Sequence, residues 1–140
     1  RCHTVSFSLL SEDQLAERFN ELSAEGLMLA SGRPALARRF LAEPECLAAF
    51  KEEIGQVERL FEGDLMDRFR AAEELAASDE AHRLLADWII SLHHRLQEAG
   101  DEERVRLAER IELALEGRSD LERGANVRLV LEALVLDGER

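Results

Sequence analysis

Tyrosine is missing from this sequence and proline occurs only at Pro34 and Pro44, so little in the chain interrupts a helix. The high Leu, Ala, Glu and Arg content beside those gaps is the composition of stacked amphipathic helices. Cysteine is nearly missing too. Cys2 and Cys46 stand far apart with no paired spacing, which argues against a disulfide framework. With no signal peptide in view, they lead us to expect reduced thiols and a cytoplasmic setting. No apolar run approaches the roughly 20 residues that cross a bilayer, so a soluble chain without membrane contact is expected. Positive charge is also scarce: 18 Lys and Arg face 30 Asp and Glu, for a net charge of -12. Such a chain repels a phosphate backbone, and no direct nucleic-acid binding is expected of this segment.

Catalytic signatures are lacking as well. There is no GxxxxGK[ST] phosphate-binding loop, no nucleophile elbow and no supported Cys/His dyad, so the chain by itself reads as non-catalytic. Its 140 residues suffice for one ordinary domain, or for a small and a medium helical module.

What is present is a series of helices. Ser11 is placed to cap the first, over about Glu12 to Leu22, with Gln14 at the capping-box position and Leu10 and Leu15 forming a hydrophobic staple. Ser23 to Gly26 read as a turn or cap before a short helix over LMLA. Ser31 or Gly32 ends that helix, and Pro34 suits the first turn of a third helix, about Arg33 to Ala42. Pro44 marks a hinge. Beyond it longer helices are predicted over about Glu45 to Phe61, Leu65 to Ala76, Ser78 to Ala99, Asp101 to Glu116 and Asn126 to Leu136. Gly63, Gly100, Gly117 and Gly124 serve as breaks. The fold class is therefore all-α: a three-helix module followed by a five-helix antiparallel bundle.

In the predicted helix from Ser78, that serine is the expected cap. Leu84, Leu85, Trp88, Ile89, Leu92 and Leu96 form its core stripe, which makes the single tryptophan core volume rather than a stacking platform. The last helix leaves only Arg128 and Glu132 as a polar sector. It is expected either at the centre of its own bundle or between subunits, which makes Asn126, Leu129, Val130 and Leu134 the interface candidates.

The histidines do not spell out a metal site. His93 and His94 are neighbours about 100° apart on a helix, and the pairs Asp79 with His82 and His94 with Glu98 lack further ligands. Glu52-Glu53, Glu73-Glu74 and Glu102-Glu103 read as solvated or arginine-paired carboxylates rather than an acid/base pair. No metal and no bound cofactor are expected.

The opening RCHTVSFSLLSEDQ is the exception to the helical pattern. His3, Val5, Phe7 and Leu9 alternate with Thr4, Ser6 and Ser8 as in a half-buried strand, yet no second strand follows. We expect it to be the last strand of a sheet whose other strands precede this segment, and to be poorly ordered or packed opportunistically without them.

The order of these elements, with Arg1-Cys2 before the strand, LASGRPALA in the small module and NVRLVLEALVL at the end, resembles bacterial DNA polymerase III clamp-loader subunits, the delta prime branch most closely. The resemblance covers nearly the whole chain. It implies that residues 1–10 end an AAA+ core, residues 11–43 form its helical lid, and residues 44–140 form the collar that assembles subunits into a pentamer. It further implies that Arg1, as the arginine of a Ser-Arg-Cys motif, reaches in trans toward ATP on a neighbouring subunit. Partners would be the other loader subunits and, through them, the sliding clamp and primed DNA. ATP-hydrolysing members carry a lid arginine a few residues after the Gly of a Gly-Ser-x-Arg motif; with Gly32 as that Gly, the position falls on Ala35. That favours a delta prime-like assembly role over a gamma/tau-like motor, although Arg33, Arg38 and Arg39 lie near enough for a shifted alignment. A free-standing helical adaptor unrelated to AAA+ proteins remains a third possibility.

Overall fold

A computed structural model describes residues 8–138, apart from the side chain of Glu98. Eight α-helices and no strand occur among the described residues. The expected strand over His3 to Leu9 and the expected role of Arg1 fall mostly outside them; Ser8, Leu9 and Leu10 have no regular secondary structure. The chain divides into two compact units, residues 1–48 and 49–140, and the division falls inside a helix a few residues beyond Pro44.

The first unit holds α1 (Glu12–Arg18), α2 (Ala24–Ala30), α3 (Pro34–Ala42) and the start of α4 (Pro44–Glu58). Ser11 caps α1 as its sequence suggests: its hydroxyl accepts from the Gln14 amide, and the Gln14 side chain accepts from the Ser11 amide. α1 is shorter than expected because the backbone leaves the helix at Phe19 and turns, Leu22 N–H donating to Phe19 O. Ser23 is then a true N-cap, accepting from the Gly26 amide at 3.1 Å, so α2 starts earlier than its apolar run. Gly26 is helical rather than a turn residue, and a Cβ there would lie 2.7 Å from Leu22 Cδ1.

The end of α2 is closely determined. Ser31 adopts the left-handed region at φ 49° and donates its hydroxyl to Met28 O, while Gly32 follows at φ 72°. Leu10 N–H donates to Gly32 O at 2.9 Å, which draws the chain before α1 against this turn. Arg33 folds back, its Nε donating to Ala30 O at 3.0 Å and its Nη2 to Leu29 O at 3.3 Å, and so caps the α2 carbonyls. Pro34 occupies the first position of α3. α1 packs on α2 and α2 on α3, with Leu15, Leu27, Ala30, Ala37 and Phe40 buried.

The second unit contains the rest of α4, then α5 (Leu65–Ala76), α6 (Ala81–Glu98), α7 (Asp101–Glu122) and α8 (Val127–Asp137). α7 lies against both α6 and α8, and α8 also lies against α5. Three boundaries differ from expectation, the first being α4, which ends at Glu58 rather than near Phe61. Ser78 does not cap α6; its hydroxyl donates to Leu75 O and finishes α5, and α6 begins after Glu80 with no side-chain cap. Gly117 does not break α7, which runs on to Glu122. Gly117 is buried in mid-helix, where a Cβ would stand 3.2 Å from Leu134 Cδ2 and 3.3 Å from Val130 Cγ1. Its missing side chain is what lets α8 approach, and Gly124 at φ 86° ends the turn after α7 instead.

Leu84, Leu85, Trp88, Ile89 and Leu92 of α6 are buried as their spacing predicts. Phe61 stacks on Trp88 with centroids 5.0 Å apart, and the Arg110 guanidinium lies 5.5 Å from the Phe61 centroid. These contacts tie the α4–α5 connection to α6 and α7.

Candidate functional site

The polar groups inside the second unit serve mainly to hold helices together. Arg68 on α5 is buried, and its guanidinium donates to Leu60 O, just beyond α4, at 2.9 Å and to Val135 O in the last turn of α8. One side chain thereby satisfies carbonyls belonging to two other segments. The sequence carried a signal for it: Arg68, Ala71, Ala72 and Leu75 share the i, i+3, i+4, i+7 stripe that α5 buries, and a lone arginine on such a stripe needs acceptors.

Arg83 on α6 pairs with Glu53 of α4 at 3.0 Å and with Glu80 and Asp87 of its own neighbourhood. Hydrogen bonds to Glu53 and Glu80 raise its pKa above the ordinary guanidinium range. Arg95 joins Glu58 at 3.3 Å and Glu103 at 3.5 Å. Burial pushes the Glu58 carboxyl above its ordinary value against the pull of Arg95. The neighbouring-carboxylate motifs are thus tied to arginines: Glu52 to Arg59, Glu53 to Arg83, Glu73 to Arg128 and Glu103 to Arg95. Three of these pairs reach between helices, and Glu52–Arg59 is an i, i+7 pair along the end of α4, so none follows the i, i+4 pattern.

The other candidate chemistry is dispersed. His82 and His93 are exposed, and His93 Nδ1–H bonds the Ile89 carbonyl in its own helix. His94 is buried with Nδ1 unpartnered. Among the described residues no three His, Cys, Asp or Glu side chains come together as a metal site. In the first unit Cys46 Sγ–H donates to Glu43 at 2.9 Å, and that bond, with burial, pushes the thiol pKa up. A thiol held protonated is a poor nucleophile. An open depression of about 530 Å³ beside the start of α7 contains Arg95, Arg106 and Arg110, but Asp101, Glu102 and Glu103 offset them.

The surface of α8 is different in kind. At about 100° per residue, Val130, Leu131, Leu134 and Val135 share one side and Leu129, Ala133 and Leu136 the opposite side. The first set is buried; Leu129 is 65% and Leu136 52% exposed, and Ala133 is exposed between them. The four interface candidates therefore separate. Val130 and Leu134 pack within the unit beside Gly117, Asn126 caps α8 by accepting from the Leu129 amide at 3.2 Å, and Leu129 faces solvent. Beside this stripe, α5 and α8 flank a depression of about 420 Å³ lined by Met66, Phe69, Arg70, Glu73, Arg128 and Glu132. Met66 is 69% exposed at its edge. Ala133, Leu136, Met66 and Phe69 were not among the expected interface residues, although the 129, 133, 136 spacing is visible in the sequence.

Comparison with protein-family models, curated proteins and solved structures finds no match to the chain.

Proposed function

We propose that this chain is an assembly module of a bacterial DNA polymerase III clamp-loader subunit, most like delta prime. In this reading it joins a hetero-oligomer whose other members bind and hydrolyse ATP to load the sliding clamp on primed DNA. The observation that carries it is α8, which is apolar on two opposite sides and uses only one of them inside its own unit. A helix with a second apolar side suits a protein that is completed by a neighbour. The first unit adds support for the delta prime branch. Ala35 stands at the position where the resemblance places a motor subunit's ATP-sensing arginine, and nearby Arg33 is engaged in capping α2.

The decisive experiment is reconstitution with the remaining loader subunits, read by co-purification and by size-exclusion chromatography. Expected is a stable hetero-oligomer that includes this chain. A folded, helical chain that joins no loader complex overturns the proposal, and intrinsic ATP binding by its complete subunit would instead favour the motor branch.

A further inference from the structure

We draw no further inference here: the strongest candidate, the apolar stripe of Leu129, Ala133 and Leu136 on the outer side of α8 beside the α5–α8 depression, is the surface on which the proposed function already rests, and nothing in the structure shows what covers it.

Discussion

Replacing Arg68 by Met keeps most of the stem volume and removes the donors that reach Leu60 O and Val135 O. The sign of the effect is not obvious in advance, because exchanging a buried charge for an apolar side chain can stabilise a protein once its partners are removed with it. Here the partners stay. Both acceptors are backbone carbonyls, one in the last turn of α8, where a helix runs short of amide donors for its carbonyls. Each carbonyl left without a donor costs about 1–3 kcal/mol, offset in part by no longer desolvating a guanidinium. The expected net loss for Arg68→Met is about 2–4 kcal/mol, a large share of the roughly 5–15 kcal/mol that holds a typical domain. Arg68→Ala should lose about 1–2 kcal/mol more through the cavity it leaves. Arg68→Lys should fall between Met and wild type, since one ammonium does not reproduce a planar fork spanning two carbonyls. Urea unfolding followed by helical circular dichroism measures this: at about 1–3 kcal/mol per molar, the Met variant's midpoint should drop by about 1–2 M. An Arg68→Met protein within about 0.5 kcal/mol of wild type would refute the claim that this side chain holds two segments together.

Gly117→Ala gains about 1 kcal/mol of helix propensity but forces a methyl against Leu134 and Val130 at 3.2–3.3 Å, an overpacking that costs about 1–3 kcal/mol. A net loss is expected in thermal melts, together with less-than-additive destabilisation when Leu134→Ala is combined with it; strict additivity would contradict the contact. Gly32→Ala requires a Cβ 2.4 Å from Leu10 O on a backbone at φ 72°, so it should release the chain before α1. Hydrogen exchange at the Leu10 amide, which donates to Gly32 O, should lose its protection. Glu58→Gln tests the buried carboxyl. Because its folded pKa is raised, its protonated form favours the fold, and that contribution, full below the unfolded pKa, is lost as pH rises through the folded pKa. The non-titrating Gln variant should therefore gain on wild type as pH goes from about 4 to 7; a difference independent of pH would sink this account.

Helix existence was legible because it rests on local chemistry. The Ser11 capping box, Pro34 at the start of α3 and the Leu84 to Leu92 stripe each recur in the structure where spacing placed them. Boundaries failed where a tertiary contact overruled a local signal. Ser78 had the composition of an N-cap but finished the preceding helix, and Gly117 had the composition of a break but lies in a helix interior that α8 needs bare. Arg68 was missed for a related reason: its place on the α5 stripe signals burial, but its acceptors are backbone carbonyls 8 and 67 residues away, and a carbonyl leaves no mark on residue identity.

The ambiguity of the last helix has the same origin. A run in which nearly every residue is apolar records how much surface avoids water, not what covers each side, so a central helix and an interface helix look alike. In the structure the run resolves into two stripes, Val130, Leu131, Leu134 and Val135 inward and Leu129, Ala133 and Leu136 outward. What separates them is the rotation of α8 about its own axis, and two contacts constrain that rotation. Gly117 admits Val130 and Leu134 against α7, and Arg68 holds Val135 O from the α5 side. A glycine that looked like a helix break and a buried arginine thus help determine which leucines of α8 face solvent and which pack within the unit.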